Sequence, residues 1–322
     1  MNLFDVLARL DGAYLAFHPF AKAMSEIDGL LHLYRQTGKA RNLLVQGESG
    51  TGKTTLCKTL VHKYPKECMP DRDLIPVLHV EVPSNATIGA TLETILELLG
   101  DPDPFTGSNH KKESRVLKLA KGCGVELILI DEGQQIHDRG KDATRYKVGD
   151  FLKMLVDHMG IPAVLLGLPR TDLLLRVNDQ LRRRFTRRVG MSIGQNTSVP
   201  LHVECLQLFT SLSPVLPVPL ALGGYDMEEM GRRFYAATDG RIGYVKLLLE
   251  AAVNLVFEQE LKEITPAVLH AAFANGIWDA GTGALNPFDE RFEFRSLDRV
   301  GEPFERVFAT THRRGRQVEA RL

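Results

Sequence analysis

The sequence has few cysteines and no long apolar segment, and both shortages limit what the chain can be. Its four cysteines form no CxxC pair, which argues against a zinc site and against a disulfide framework. We therefore expect reduced thiols and a cytoplasmic location. The start, MNLFDVLARLDGAY, carries two aspartates and no cationic segment, so we predict no signal peptide. The longest apolar runs are too short to span a bilayer, so we expect no membrane partner.

A net charge is lacking as well. The 40 basic and 40 acidic residues give a formal net charge of zero, which argues against a generally cationic nucleic-acid coat. A local basic surface stays open, because binding depends on where the charges lie. With 322 residues and 44% apolar content, we expect one large or two modest globular domains.

Short apolar runs alternate with helix-like patterns through about the first half of the chain. The runs carry few charges along their length, as strands that are covered on both faces do. The alternation predicts an α/β fold with a doubly wound parallel sheet. We predict strands at 42–46, 77–82, 125–130 and 161–166, and helices at 54–64, 88–99, 111–121 and 148–158.

Residues 47–54 read GESGTGKT and match the pattern G-x-x-x-x-G-K-[ST] in full. The glycines let the backbone curl so that its N–H groups face phosphates, and the following helix adds its positive N-terminal end. We expect Lys53 to bind the β- and γ-phosphates of ATP and Thr54 to ligate Mg²⁺. The predicted nucleotide contacts are Gly47, Glu48, Ser49, Gly50, Thr51, Gly52, Lys53, Thr54 and Thr55.

An acidic pair follows a second apolar run, in the segment LILIDE at residues 127–132. Asp131 falls at the C-terminal tip of a predicted strand, where parallel sheets bind ligands, and we expect it to hold Mg²⁺ through water. Glu132 is expected to polarise the attacking water as general base. The alternative is a strand that simply ends in solvated acids, and the complete glycine-rich motif upstream favours the nucleotide site.

The acidic pair resembles that of hydrolytic ATPases of the AAA+ class. In AAA+ rings, an arginine after the third strand and its helix reaches the γ-phosphate of the neighbouring subunit. The resemblance assigns this role to Arg184, which precedes Phe185, with Arg182 and Arg183 as alternatives. The other interpretation of this arginine-rich stretch is a solvated or DNA-facing basic patch.

Two further positions bear on the AAA+ resemblance. Arg241, in the segment DGRIG, resembles the sensor-2 arginine that folds back onto the γ-phosphate, and the alternative is a surface arginine after a turn. The tip of the third strand departs from the pattern, because it reads LGLP at residues 166–169, where AAA+ proteins carry a polar sensor-1 residue. Either hydrolysis is slow, or Arg170 or Thr171 serves instead.

The order of features resembles the TniB/TnsC family of AAA+ transposition regulators over residues 15–275. The resemblance combines the acidic pair and the Arg184-Phe185 pair with short flanking segments. Another segment, Asn286-Pro287-Phe288, looks like members found in CRISPR-associated, Tn7-like transposons. The flanking segments are HPF at 18–20, RNLL at 41–44, QL at 180–181 and TDGRIG at 238–243.

The family resemblance implies ATP-dependent oligomerisation, as a ring or filament, on double-stranded DNA. Such an assembly regulates DNA transposition by linking target-selector proteins to the transposase. Contacts mainly with phosphates would make DNA binding sequence-tolerant and salt-sensitive. Basic candidates for these contacts, which solvated surface charge explains equally well, are Lys111, Lys112, Arg115, Arg139, Lys141 and Arg145.

We predict four parts: an N-terminal helical segment at 1–40, an AAA+ ATPase core at 41–212, a small helical lid at 213–275 and a tail at 276–322. The proline-rich segment SPVLPVP supports the boundary after residue 212. Predicted lid helices are 227–238, 242–255 and 266–275. The tail docks a partner, packs in part on the lid or is partly disordered, and its aromatic residues are Phe288, Phe292, Phe294, Phe304 and Phe308.

Two other functions compete with transposition control. The first is another AAA+ machine, such as a helicase loader. The second is a nucleotide-dependent scaffold or switch that hydrolyses little ATP, and the nonpolar tip of the third strand gives it weight.

Overall fold

A parallel five-stranded sheet lies in the first part of the computed structural model, which describes residues 2–13, 17–84, 87–135, 142–177, 179–194 and 198–306. The predicted strands are confirmed to within about two residues. The strands are β1 Leu43–Gln46, β2 Glu67–Cys68, β3 Asp73–Leu74, β4 Val77–Glu81, β5 Leu127–Asp131, β6 Ala163–Gly167 and β7 Arg187–Gly190. The sheet order is β4-β5-β6-β1-β7, and β2 and β3 form a separate antiparallel hairpin.

Helices precede, connect and follow these strands. They are α1 Leu3–Gly12, α2 His18–Thr37, α3 Lys53–Lys63, α4 Ile88–Leu98, α5 Asn109–Gly122, α6 Asp142–Met159, α7 Thr171–Val177, α8 Asp179–Arg182, α9 Leu201–Leu212, α10 Met227–Thr238, α11 Ile242–Glu258 and α12 Pro266–Gly276. No helix among the described residues is long and apolar enough to cross a membrane. The cytoplasmic location stays a prediction.

The chain divides by packing into two units. A sheet unit comprises Pro19–Glu48 and Gly52–Met191. A helical unit comprises the described residues within Met1–His18, Ser49–Thr51 and Ser192–Leu322.

The core of the sheet unit explains its strand pattern. Every residue of β5 and β6 is buried, as expected for parallel strands that helices cover. Leu44, Ile128 and Leu165 belong to one apolar cluster with side chains of α4 and α6. Burial of such side chains contributes roughly 1.5–3 kcal/mol each.

The strand register brings three chain segments together at the carboxyl edge of the sheet. Gln46 of β1 lies opposite Gly167 of β6, and Ile130 of β5 lies opposite Leu165 of β6. The loops that leave these strands therefore start side by side. This edge carries the glycine-rich loop and the acidic pair.

Strand β7 was not predicted, because its sequence reads as part of one basic stretch. The structure divides that stretch into the short helix α8, a turn and an edge strand that pairs with β1. Only Val189 is buried in β7, whereas Arg187 and Arg188 are exposed. An edge strand tolerates such charges because one of its sides is not covered by a neighbouring strand.

The helical unit contains the predicted lid and the helix before it. Helix α9 packs against α10, and the stacked rings of Phe209 and Phe234 lie 3.6 Å apart between centroids. Packing thus divides the chain near residue 192, not after residue 212 where the sequence placed the boundary. The proline-rich segment is a short turn after α9, because its prolines end the helix without separating it from α10. The functional domains stay a prediction.

The first part of the predicted tail packs on the helical unit. Phe288, Phe292 and Phe304 are buried in its apolar cluster, whereas Phe294 is 46% exposed. The Asn286 amide donates hydrogen bonds to the carbonyls of His270 (2.9 Å) and Gly281 (2.8 Å). For Phe288, Phe292 and Phe304, packing on the helical unit is therefore the interpretation that applies. Phe308 lies outside the described residues.

Candidate nucleotide site

The loop after β1 has a backbone that requires glycine. Gly50 and Gly52 adopt φ values of 80° and 91°, in the left-handed region that other residues rarely enter. Gly52 caps the N-terminus of α3. The loop therefore leads directly into the N-terminus of a helix, where backbone N–H groups and the helix dipole favour an anion.

Lys53 lies inside the curve of this loop. Its ammonium group donates hydrogen bonds to the carbonyls of Gly47 (2.7 Å) and Glu48 (3.0 Å), and the residue is only 6% exposed. A buried ammonium at a helix N-terminus provides positive charge where phosphate oxygens would lie. Thr55, the last of the predicted nucleotide contacts in residues 47–55, is exposed on the first turn of α3.

Two oxygen groups converge on the other side of the loop. The Thr54 hydroxyl donates a hydrogen bond of 3.0 Å to Oδ2 of Asp131. Asp131 is 1% exposed at the tip of β5. A hydroxyl beside a carboxylate is a pair of hard oxygen ligands, so the residues present fit Mg²⁺.

The Asp131 carboxylate is held in its charged form. Burial by itself raises the pKa of Asp131, but the His79 side chain, the Glu132 backbone N–H and the Thr54 hydroxyl together lower it below its usual value. The N–H of Glu132 donates to Oδ1 at 2.8 Å. Asp131 is thus ionised at neutral pH.

Cys57 and His79 adjoin Asp131, which the sequence did not indicate. The ligand atoms of these three side chains lie within 4.8 Å of one another. His79 Nε2 is 3.7 Å from Asp131 Oδ2, too far for a hydrogen bond. Burial raises the pKa of the Cys57 thiol well above its usual value, so this thiol packs as a neutral group.

Glu132 has an unusual backbone. Its φ is 59°, in the left-handed region, where a non-glycine residue is strained by about 1–3 kcal/mol. Its carboxylate accepts a hydrogen bond from the side-chain amide of Gln134. The opposite end of this amide accepts the N–H of Leu168, at the tip of β6, over 3.1 Å. Gln134 belongs to none of the motifs found in the sequence.

The tip of β6 is nonpolar, as the sequence indicated. Of the two substitutes proposed for the missing sensor-1 residue, Thr171 is fully buried and its hydroxyl makes no hydrogen bond among the described residues. Arg170 is half-buried.

The three candidate finger arginines differ in their surroundings. Arg184 forms a two-pronged ion pair with Asp157 of α6, with Nη2 and Oδ2 2.6 Å apart. This pair lowers the pKa of Asp157. Arg182 pairs with Asp179 at 2.9 Å. Arg183 is exposed, and its guanidinium makes no ion pair within the described part of the chain.

Arg241 is enclosed within the helical unit. It pairs with Asp239 at 2.7 Å, and its guanidinium lies over the rings of Tyr244 (5.8 Å) and Phe304 (5.5 Å). In the same unit, the N–H of Gly243 donates to the carbonyl of Gly50 at 2.8 Å.

Most basic DNA candidates are engaged or lie outside the described side chains. Lys112 is buried in an ion pair with Glu93, and Arg115 pairs with Asp101 at 3.3 Å. Lys111 is exposed on α5. Arg139 and Lys141 lie outside the described residues, as does the side chain of Arg145.

Comparison with solved structures shows an AAA+ fold of the ORC and Cdc6 type. The chain is similar to Cdc6p from Pyrobaculum aerophilum (TM-score 0.60, 14% identity, 84% of this chain and 70% of that chain). It is also similar to the Aeropyrum pernix ORC1 protein in complex with DNA (TM-score 0.59, 16% identity, 84% and 68%). The Aeropyrum pernix ORC2 protein in ADPNP-ADP complexes is a third relative (0.54, 13%, 78% and 67%).

Sequence comparison gives the family. No curated protein matches the chain. Residues 13–191 match the family described as Bacterial TniB protein, and this range is more than half of the 322 residues. The predicted TniB/TnsC resemblance is thereby confirmed, and the chain belongs to the TniB family.

Proposed function

We propose that this chain is an ATPase that assembles on double-stranded DNA when it binds ATP and regulates DNA transposition by linking target selection to transposase recruitment. The observation that carries the ATPase part is the 3.0 Å contact of Thr54 with Asp131 beside the buried Lys53. These three groups supply the charges that a nucleoside triphosphate and Mg²⁺ need.

Each residue of the site has a role in this proposal. Lys53 binds the β- and γ-phosphates, while the backbone N–H groups of residues 47–55 surround the phosphate chain. Thr54 and Asp131 would hold Mg²⁺, which neutralises charge that develops on the phosphates. Glu132 orients a water molecule in line with the γ-phosphate and accepts its proton.

Two arginines would complete the site. Arg184 is proposed to reach the γ-phosphate of the neighbouring subunit, for which it must leave Asp157, and Arg182 and Arg183 stay alternatives. Arg241 is proposed as the sensor arginine. A guanidinium stabilises transition-state charge, so hydrolysis would depend on assembly.

Membership in the TniB family supports the DNA and transposition parts of the proposal. The similarity to an ORC1 protein in complex with DNA is consistent with them. Self-assembly would form a ring or filament, and the transposase and a target-selector protein would be its partners. A relation to CRISPR-associated, Tn7-like transposons stays a prediction from the Asn286-Pro287-Phe288 segment.

Negative-stain microscopy with duplex DNA tests this proposal. The protein is imaged with and without a slowly hydrolysed ATP analogue, beside the Lys53→Ala variant. We expect rings or filaments on DNA only with nucleotide, and none with the variant. A protein that binds nucleotide but stays off DNA in every condition would contradict the proposal and leave a loader that acts on another protein.

A nucleotide-dependent switch with little turnover is the second candidate. The nonpolar tip of β6 favours it, because residues 166–169 read LGLP and offer no polar side chain where AAA+ proteins carry the sensor-1 residue. Steady-state turnover of the wild type and of Glu132→Gln separates the two candidates. Removing a general base lowers turnover by about 10²–10⁴-fold in a hydrolase, whereas a switch shows little turnover in either form.

Mixed assemblies test the arginine assignment. Arg184→Ala and Lys53→Ala proteins are each expected to be inactive alone. At a mixed interface, one subunit keeps Lys53 and the other keeps Arg184, so partial hydrolysis returns if the arginine acts on its neighbour. The same mixture with Arg183→Ala or Arg182→Ala identifies the finger, and no recovery at any ratio would exclude Arg184.

A further inference from the structure

Gln134 lies between the two strand tips that enclose the hydrolytic site. The residue is 4% exposed. Its Oε1 accepts the N–H of Leu168 at 3.1 Å, and its Nε2 donates to the carboxylate of Glu132. It therefore connects Glu132, which follows β5, to the end of β6.

The hydrogen-bonding groups of Leu168 and Glu132 determine which side chain suits position 134. The Leu168 N–H needs an acceptor, and the Glu132 carboxylate needs a donor. A side-chain amide offers both from one rigid plane, so its orientation follows from its partners. A glutamate would offer acceptors only, and a leucine would remove the hydrogen-bond partner of both groups.

The space for this amide comes from a glycine at the tip of β6. A Cβ on Gly167 would lie 2.2 Å from Oγ1 of Thr171 and 2.8 Å from Oε1 of Gln134. Both distances are shorter than any real contact of a Cβ atom. The absence of a side chain at this tip is thus what admits the Gln134 amide.

The backbone around Glu132 is also held from β6. The N–H of Gly133 donates to the carbonyl of Leu166 at 2.9 Å, and a Cβ on Gly133 would lie 2.8 Å from Leu165 Cδ1. Glu132 itself has a left-handed backbone. Its carboxylate direction is therefore set by this turn and by the Gln134 amide.

We propose that Gln134 is the positioning residue of Glu132 and provides, from the β5 side, the polar group that the β6 tip lacks. It acts through Glu132 and does not touch the nucleotide. The inference rests on the proposed hydrolytic role of Glu132. Thr171 fills the space beside Gly167 without taking part.

Steady-state kinetics of Gln134→Leu tests the inference. Misplacing a catalytic group by about 1 Å costs up to roughly 100-fold, so we expect kcat to fall by roughly 10- to 100-fold. KM for ATP and the affinity for a non-hydrolysed analogue should stay as in the wild type. Gln135→Leu is the matched control, because this neighbouring half-buried glutamine makes no side-chain hydrogen bond within the described residues. It should keep wild-type kcat.

A double-mutant cycle with Glu132→Gln separates positioning from a general structural role. If Gln134 acts only through Glu132, the double variant is no slower than Glu132→Gln alone. Two losses that multiply would overturn the inference, and so would a loss of nucleotide affinity. Gly167→Ala, whose Cβ would displace the amide together with the Thr171 hydroxyl, should lower kcat in the same way and serves if Gln134→Leu does not fold.

The outcomes also distinguish this inference from the function on which it rests. Wild-type turnover in Glu132→Gln would contradict the hydrolytic function and the inference together. Loss of turnover in Glu132→Gln, with wild-type turnover in folded Gln134→Leu and Gly167→Ala, would overturn the inference alone.

Discussion

Burial determines which cysteine thiols a reagent can reach, and it raises the pKa of the buried ones. Cys57 lies in α3 and Cys205 in α9, both fully buried. Burial raises the pKa of Cys57 well above its usual value and that of Cys205 to about 12. Cys68, in the small hairpin, is exposed. The reactive nucleophile is the thiolate, so the two buried thiols are protected both by lack of access and by their raised pKa values.

We expect an alkylating reagent at mildly alkaline pH to modify Cys68 in the native protein and leave Cys57 and Cys205 unmodified. A pKa above the working pH keeps the buried thiols protonated. Unfolding lowers this pKa and exposes the thiols to the reagent. Mass spectrometry of native and denatured samples measures the difference. A Cys68→Ser variant is the control, and native labelling of Cys57 as fast as that of Cys68 would contradict the described packing.

The site residues that could be predicted are those in one continuous motif. Lys53 and Thr54 were predicted because their spacing alone indicates a phosphate loop. Gln134 was missed because its hydrogen bond with Leu168 exists only once the parallel pairing of β5 with β6 brings the two residues together. The sequence feature that relates to Gln134 is the glycine at position 167. The space that this glycine leaves for the amide is visible only in the structure.

Secondary-structure elements were predictable where burial is uniform. Strands β5 and β6 are apolar along their whole length, because helices cover them, and their sequences show it. The edge strand β7 carries two arginines and gave no such signal. The predicted boundary falls after α9, whereas α9 packs with α10, because proline content indicates a turn but not which helices pack across it.

The ion pair between α6 and the turn before β7 gives a prediction for Asp157→Asn. Arg184 loses its partner, so it is freer to act on a neighbouring subunit. An exposed ion pair contributes under about 1 kcal/mol, so turnover on DNA should rise by roughly two- to fivefold with little change in stability.

Asp179→Asn, which releases Arg182 instead, is the matched control for Asp157→Asn. It should leave turnover unchanged when Arg184 is the finger. A rise in Asp179→Asn alone would transfer the role to Arg182. Both variants are compared by ATPase assays at saturating DNA.

For the whole molecule, part of the predicted tail is a component of the folded helical unit. Phe304 is buried against Tyr244, with ring centroids 5.0 Å apart, and lies beside Arg241. We expect Phe304→Ala to lower the free energy of unfolding by about 3–5 kcal/mol. Denaturant unfolding measures it. Phe4→Ala, at a ring that is 79% exposed in the same unit, should change it by less than about 0.5 kcal/mol.

Binding to DNA by the assembled protein should depend steeply on salt. Phosphate contacts release counterions, and a protein with about six such contacts loses about 10³-fold in affinity over a fourfold rise in salt. Fluorescence anisotropy with two duplexes of unrelated sequence measures both the slope and the sequence tolerance. A slope near zero, or a strong preference for one duplex, would contradict contact mainly with phosphates.

Gly167 and Gln134 occupy adjoining space, and this has an evolutionary consequence. A mutation that adds a side chain at position 167 expels the amide, so it survives only with a shorter residue at position 134. A polar side chain introduced at position 167 would then provide the hydrogen bond that the glutamine no longer makes. Among homologues, the two positions should therefore change together, and lineages should carry the polar group on one strand or the other, but not on both.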